Sequence, residues 1–378
     1  MRAGRATDTA LQRIRYISRD VFAEESKKIF VRQWTFAGHI SQIPSVGDYF
    51  VHNFAGEGII VVRDSSDSIR AFYNVCRHRG SRLTKSEMGT ARNFVCPYHQ
   101  WSYGLDGALR RAPMMPDKDC IDYETLSLFP AAAEVYAGMI FVNLSERPGQ
   151  SLAALLGEPS EVLSKLRPEN IKEIFRERLV VKANWKTLLE NYLECYHCAG
   201  SHPELGVAFD IQSSYGQTAG WEGNCFVGGE PLRKGFATVS MSGQLVSKPL
   251  GDYVHEAEVP LEIAEGFGIL PVLSRVLFHV DHAIIHSMNP VSESEVEWTS
   301  RWYVRSDAVE GVDYDVEKVT EVWRATNAED KELCERNYSG VTSRRYRPGP
   351  LNPLAEGAIR PALDLIDEML AGEGSSVA

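Results

Sequence analysis

The chain has 378 residues, with 40 Lys plus Arg against 51 Asp plus Glu, a formal net charge of −11, and 44% hydrophobic residues. This is the balance of a globular chain long enough for two unequal domains or three. It argues against nucleic acid as the main partner, because neutralising phosphates needs concentrated Lys and Arg. No stretch approaches the roughly 20 apolar residues of a membrane span. Seven cysteines, an odd number, do not make a disulfide framework and point to the reducing cytoplasm.

The N-terminal arm carries Arg2, Arg5, Arg13, Arg15 and Arg19. It lacks the apolar core of a signal peptide and reads as structure. Phe22, Ile29, Phe30 and Trp34 recur at helical spacing, which predicts an amphipathic helix over 20–34. From Gly47 the period becomes two, with strands expected over 48–54, 58–62 and 69–75, and more up to Leu144. Residues 34–145 therefore read as a small all-β domain. Residues 146–170, with Pro148, Gly149, Pro159 and Pro168, read as a linker with a short helix at 152–156. The rest of the chain, with 1–33, forms a second domain. Its expected elements are a strand over 176–182, a helix over 185–200, strands over 278–288 and 296–304, and a long helix over 316–338.

The first chemical signal is Cys76-x-His78 followed after seventeen residues by Cys96-x2-His99. Two Cys and two His suit zinc, or a [2Fe–2S] cluster with two Cys on one iron and two His on the other. Zinc fingers commonly pair Cys with Cys and His with His. Here each pair mixes them, so the thiolates can meet at one iron and the imidazoles at the other. That favours a Rieske cluster, a one-electron relay, with Gly80 and Gly104 permitting tight loops and Trp101 excluding water.

A second signal is weaker alone. His197 and His202 are five apart, and in an unbroken helix they diverge by about 140°. They can share a metal only if the helix loosens, which Gly200 and Pro203 allow. Downstream of an electron relay, two His and a carboxylate with open positions suit mononuclear non-haem Fe(II). Glu190, Glu194 or a distant acid could supply the carboxylate. Cys195 and Cys198 form a CxxC inside the helix, where packing is a better reading than thioredoxin chemistry.

Together these motifs resemble the catalytic α subunit of the Rieske non-haem iron oxygenases, over nearly the whole chain from Phe30-x3-Trp34 onward. The resemblance implies an α+β chain: an N-terminal Rieske [2Fe–2S] domain and a helix-grip catalytic domain with an antiparallel sheet. It implies His197, His202 and Asp330 as the ligands of mononuclear iron. It places Glu194 where most members carry an aspartate that bridges the two metal centres. The run 190–205, Gly311-x-Asp313-Tyr314-Asp315 and Ser343-x2-Tyr346-x-Pro348-Gly349-Pro350 look like the glycine betaine and stachydrine demethylating subgroup. Tyr338 departs from the Gln usual there, and the subgroup's C-terminal aromatic pair has no clear counterpart around 359–366.

The resemblance implies O2 chemistry on a small N-methylated or quaternary ammonium substrate, with hydroxylation or dihydroxylation of an aromatic acid or other ring by the same machinery as the alternative. An arginine facing a carboxylate would mark that alternative. Candidate aromatic faces for a cation are Tyr215, Trp221, Phe226, Phe236, Phe278 and Tyr303. A Rieske electron carrier without oxygen chemistry would need only the first 150 or so residues, about one domain. No flavin or nicotinamide fingerprint occurs. NAD(P)H electrons must then arrive indirectly, through a separate flavin/iron–sulfur reductase or a ferredoxin. The family further implies a head-to-tail homotrimer, in which His99 of one subunit faces the neighbour's His197 through Glu194.

Overall fold

Two short helices open the computed structural model, which describes residues 8–65, 67–115, 122–211, 220–222, 225–227, 231–251 and 265–372. Arg2, Arg5 and Tyr215 lie outside these residues, and only the backbone is described at Trp221 and Phe226. The helices are α1 (Arg13–Ile17) and α2 (Arg19–Lys28). Ser18 caps α2, its hydroxyl accepting from Val21 N–H. The helix expected over 20–34 ends early. A single 3-10 turn at Phe30–Arg32 follows α2, and Trp34 opens a strand paired with Asn143. Ile29 and Phe30 are fully buried as their spacing implied. The pull of the sheet on Trp34 overrides the helical period.

Val31–Ala154 forms one unit, and Met1–Phe30 with Leu155–Ala378 forms another. The first contains β1 (Trp34–His39), β2 (Asp48–Phe54), β3 (Glu57–Ser65), β4 (Ser68–Tyr73), β5 (Met88–Thr90), β6 (Phe94–Val95), β7 (Ser102–Tyr103), β8 (Leu109–Arg111), β9 (Pro130–Tyr136) and β10 (Met139–Asn143). They build a seven-stranded sheet in the order β1-β10-β9-β4-β3-β2-β5 and a three-stranded sheet β6-β7-β8. The apolar run after Ala131 is a hairpin. Tyr136 pairs with Met139 across Ala137 and Gly138, which both take positive φ as a two-residue hairpin turn requires.

Helix α3 (Leu152–Leu156) spans the unit boundary at Ala154, and the second unit continues with α4 (Glu161–Lys165), β11 (Ile171–Val181), α5 (Trp185–Tyr192), α6 (Cys198–Ser201), α7 (Leu205–Ala208), β12 (Gly220–Glu222), β13 (Cys225–Val227), β14 (Glu265–Ile269), β15 (Ser274–Phe278), β16 (Ala283–Ser292), β17 (Glu295–Arg305), α8 (Val316–Val341) and α9 (Ile359–Ala371). Its seven-stranded antiparallel sheet runs β11-β17-β16-β15-β14-β13-β12. The strand expected over 278–288 is two, because the chain turns at His279–His282, where His279 N–H donates to the His282 carbonyl at 2.8 Å. Helix α8 begins at Asp315, whose carboxylate accepts from Glu317 N–H at 3.0 Å. Val319, Trp323, Thr326 and Cys334 recur on its buried face. Asp330 falls in that same stripe. Among the described residues no helix is long and apolar enough to cross a membrane.

Helix α5 is anchored by charge. Lys186 Nζ donates to Glu25 Oε1 at 2.6 Å, and neither side chain is exposed. Trp185 Nε1 donates to the other oxygen, Glu25 Oε2, at 2.7 Å. Burial pushes the Lys186 pKa down, and the Glu25 carboxylate opposes that shift. Removing one partner of such a pair leaves an uncompensated buried charge. Lys186→Ala is therefore expected to cost about 3–5 kcal/mol, seen as a lower urea midpoint, with the double replacement Glu25→Leu/Lys186→Met recovering part of the loss. Wild-type stability in Lys186→Ala would remove the pair as an anchor.

Candidate active site and metal centres

Two loops of the β-rich unit are built alike. Cys76 N–H donates to the Ser81 carbonyl at 2.9 Å, and Gly80 N–H to the Cys76 carbonyl at 2.9 Å. Likewise Cys96 N–H donates to the Trp101 carbonyl at 2.8 Å, and Gln100 N–H to the Cys96 carbonyl at 3.0 Å. The fifth residue of each loop is left-handed, Gly80 with φ 76° and Gln100 with φ 61°. Glycine takes that shape freely and glutamine at a modest cost. The first loop is pinned by Asn74, whose Oδ1 accepts Leu83 N–H at 2.8 Å and Thr84 N–H at 3.2 Å.

These matched turns bring both Cys-His pairs together. The two thiols are buried, and the His78 and His99 ring centroids lie 4.6 Å apart. Trp101 stacks flat on His78 at 4.9 Å. The Tyr103 hydroxyl lies 3.3 Å from Cys76 Sγ. Burial pushes the Cys76 thiol up. At Cys96 burial acts the same way, but backbone N–H groups of Tyr98 and His99 outweigh it and lower the pKa. His99 Nδ1 is buried and, among the described residues, has no hydrogen-bond partner. An orphaned imidazole nitrogen beside two buried sulfurs fits a group that takes S and N ligands together.

The second constellation lies where α5 breaks. The helix expected over 185–200 ends at Tyr192, and the break comes earlier than Gly200. The Glu194 carboxylate accepts the backbone N–H groups of Tyr196 and His197, and these bonds replace the helical ladder. The chain then turns through α6, and His202 N–H closes on the Cys198 carbonyl at 3.0 Å. The turn places His197 Nε2 only 3.0 Å from His202 Nε2. Asp330 Oδ1 lies 3.2 Å from the first and 3.1 Å from the second.

Each imidazole is oriented from behind. His197 Nδ1 pairs with Glu194 Oε1, and His202 Nδ1 with Glu329 Oε2 at 2.8 Å. A carboxylate at Nδ1 holds the N–H there and leaves the Nε2 lone pair pointing inward. Three electron-rich atoms then face one another. Cis ligands bound at about 2.1 Å in an octahedron lie about 3.0 Å apart, so the triangle fits one face of a 2-His-1-carboxylate ion. Without a cation, protons take up the attraction. Burial alone would lower His197, but Asp330 and Glu194 raise it to about 10. Burial alone would raise Asp330, but the two histidines bring it to about 2.

Of the acids open from the sequence, Glu190 is engaged elsewhere, accepting from the Tyr16 hydroxyl at 2.8 Å. Cys198 Sγ also lies within 4.8 Å of both imidazoles, but it bonds the Glu194 carbonyl at 3.9 Å and packs into the core. Sequence reasoning gave no role to Asn191, whose amide donates to Asp330 Oδ1 at 3.1 Å. Tyr338, the departure from the subgroup, donates to the Glu293 carbonyl at 3.2 Å, outside the pocket described next.

A pocket opens on these atoms, lined among others by Tyr192, Phe209, Trp323, Leu277, Arg275 and His279. Of the aromatic candidates with described side chains, Phe236, Phe278 and Tyr303 do not line it. Tyr303 is fully buried and points at Glu173. Trp323 was findable, since it stands two turns before Asp330 on the same helix stripe. Phe209 carried no signal.

The sequence matches two family models: the Rieske [2Fe-2S] domain over residues 33–130 and the ring hydroxylating alpha subunit (catalytic domain) over residues 168–372. It is 32% identical to the glycine betaine monooxygenase oxygenase subunit of Pseudomonas aeruginosa, over 94% of this chain and 87% of that one. It is 38% identical to the carnitine monooxygenase oxygenase subunit of Acinetobacter pittii, over 52% of this chain and 53% of that one. A solved quaternary ammonium Rieske monooxygenase, described for carnitine oxidation and inter-subunit electron transfer, superposes with a TM-score of 0.79 at 25% identity and 96% coverage of both chains. The matched loops around Cys76 and Cys96 and the His-His-Asp triangle thus sit in a chain that belongs to the Rieske non-haem iron oxygenases, as an α subunit with a [2Fe–2S] domain and a mononuclear iron catalytic domain.

Proposed function

We propose that this oxidoreductase oxidatively N-demethylates or hydroxylates a small N-methylated or quaternary ammonium substrate. Cys76, His78, Cys96 and His99 hold the cluster, and His197, His202 and Asp330 hold the iron. The observation that carries the substrate reading is the aromatic lining of the pocket beside Asp330, from Tyr192, Phe209 and Trp323. Aromatic faces attract a cation that cannot be hydrogen-bonded through its methyl groups, each contributing about 0.5–2 kcal/mol. The relatives named for glycine betaine and carnitine support the same class. Arg275, also in the pocket, is the group that would mark a carboxylate. An aromatic acid would use it too, so ring hydroxylation is the reading to test against.

When bound, the cluster supplies single electrons and the Fe(II) activates dioxygen. The chain's own part is to orient and to exclude. Glu194 and Glu329 keep the protons of His197 and His202 on Nδ1. Asn191 fixes Asp330 Oδ1. The apolar sides of Leu205, Leu277 and Phe209 keep water from the reacting carbon. Overall, one N-methyl carbon leaves as formaldehyde carrying one atom of O2, the other atom leaves as water, and two electrons come from NAD(P)H through a separate reductase. We assign the enzyme to the cytoplasm as a head-to-tail homotrimer, with Glu194 carrying the electron between His99 of one subunit and His197 of the next. The inter-subunit transfer described for the structural relative supports that path.

Glycine betaine with a surrogate reductase is expected to yield formaldehyde and a dimethylated product by mass spectrometry. Asp330→Ala is expected to abolish both and to lose one iron of about three per chain, while the cluster absorbance stays. Turnover of benzoate but of no N-methylated compound would overturn the substrate reading.

Glu194→Ala should retain the trimer, yet slow cluster oxidation about 10–100-fold in a single-turnover mixture of reduced enzyme, substrate and O2. Unchanged oxidation would exclude Glu194 from the path. Tyr103→Phe removes a hydroxyl 3.3 Å from the Cys76 sulfur, which would donate to a cluster-bound thiolate. A lost hydrogen bond leaves more charge on the thiolate, so the cluster potential should fall by tens of millivolts in a redox titration.

A further inference from the structure

The turn between β15 and β16 carries a group of polar side chains outside the metal triangle. His279 is completely buried, and among the described residues neither of its ring nitrogens has a hydrogen-bond partner. It lines the same pocket as His202 and Asp330. Behind it, both carboxylate oxygens of Asp281 and Nδ1 of His282 are engaged, while His282 Nε2 is left without a partner among the described residues. Asp281 Oδ1 lies 2.8 Å from His282 Nδ1 and accepts from the Thr238 hydroxyl at 2.6 Å. Asp281 Oδ2 accepts from Val246 N–H at 2.7 Å and Ser247 N–H at 3.1 Å. The His279 ring packs on His282 with centroids 4.7 Å apart.

A buried imidazole with two unsatisfied nitrogens is costly unless something arrives to use them. His279 is not a loose surface ring, since the backbone of the turn and the His282–Asp281 pair hold it in place. Strand alternation puts Arg275 and Leu277 on the pocket face, and His279 continues that row. The Arg275 guanidinium carbon lies 6.0 Å from the centre of the Tyr192 ring. The pocket therefore offers hydrogen-bond donors as well as aromatic faces.

We propose that His279 is a substrate-binding residue whose ring N–H donates to a carboxylate oxygen of the substrate, with His282 and Asp281 as positioning residues behind it. The inference rests on the reading of this pocket as the substrate site. It makes the preferred substrate a zwitterion, its carboxylate at the Arg275–His279 edge and its methylated nitrogen at Tyr192, Phe209 and Trp323. Burial, with the nearby His282, holds His279 well below the ordinary histidine pKa. A neutral donor bonds the carboxylate without repelling the substrate's fixed positive charge.

The test is calorimetric binding to the iron-loaded oxidised enzyme, with glycine betaine, choline and benzoate as probes. Choline keeps the ammonium and lacks the carboxylate; benzoate does the reverse. His279→Leu should weaken glycine betaine binding about tenfold or more, and choline binding far less, the loss of one buried hydrogen bond to a charged group. His279→Gln keeps an N–H donor and should recover part of the affinity, and it carries the comparison if the leucine variant loses iron. In turnover, KM should rise more than kcat falls. Equal glycine betaine affinity in wild type and His279→Leu overturns the role of His279 and leaves the ammonium reading intact. Benzoate binding that depends on His279, with no ammonium bound, keeps His279 and overturns the ammonium reading. A wild type that binds none of the probes overturns both.

Discussion

Three lone-pair atoms, two imidazole nitrogens and a carboxylate oxygen, are held 3.0–3.2 Å apart in the catalytic unit. Such a triangle is repulsive unless positive charge sits within it, so the fold must hold it from outside. The supports are specific. Asp330 lies on the buried stripe of a 26-residue helix, α8, which registers it against the sheet. His197 and His202 sit on either side of a four-residue helix, α6, that could not form there if α5 ran on. Glu194 both stops α5 and grips the back of His197. One carboxylate thus sets the backbone break and the ligand tautomer together.

The same economy appears around α5. The Asn184 side chain accepts from Lys186 N–H at 3.0 Å and donates to the Glu293 carbonyl at 2.9 Å, so the start of α5 is tied to the turn between β16 and β17. Tyr338 from α8 reaches that same carbonyl. Glu25, from the N-terminal arm, binds the next two residues. Two segments distant in sequence therefore bond three consecutive residues, Asn184, Trp185 and Lys186, and a third, α8, joins them through the Glu293 carbonyl.

Legibility in the sequence followed locality. The approach of the Cys76/His78 and Cys96/His99 pairs was readable because each pair sits in a short loop shaped by its own turn. Strands with clean alternation and the long helix from Val316 were readable for the same reason. The early end of the first long helix was not, because Trp34 is claimed by a strand more than a hundred residues away. Nor was the break in α5, where a glutamate side chain competes with the helical ladder and no glycine or proline marks the spot. Asp330 could be chosen over Glu329 and Glu332 only through the resemblance. The structure gives the physical reason: Asp330 lies on the buried stripe beside both Nε2 atoms, and Glu329 reaches only the outer Nδ1 of His202. The pocket was least legible, since its walls come from α5, α7, α8 and β15, and aromatic content alone does not say which rings are core.

The wall itself depends on a histidine that stays uncharged. His286 is fully buried and stacks on Trp298, with its ring 5.2 Å from that of Trp323 and 5.8 Å from that of Tyr192. It thereby links two rings that line the pocket. Its Nδ1 pairs with the Ser300 hydroxyl at 2.8 Å, and Ser300 in turn accepts from the Asn327 amide at 3.0 Å on α8. Burial, reinforced by the charge of Arg275, lowers its pKa to about 3. A protonated ring there would set a second positive charge behind faces that are to hold a cation, cancelling part of the quadrupole attraction they offer. Neutral His286 does the opposite: it packs like an aromatic residue, fixes Tyr192 and Trp323, and leaves Arg275, over the Tyr192 ring, as the cation of the pocket wall.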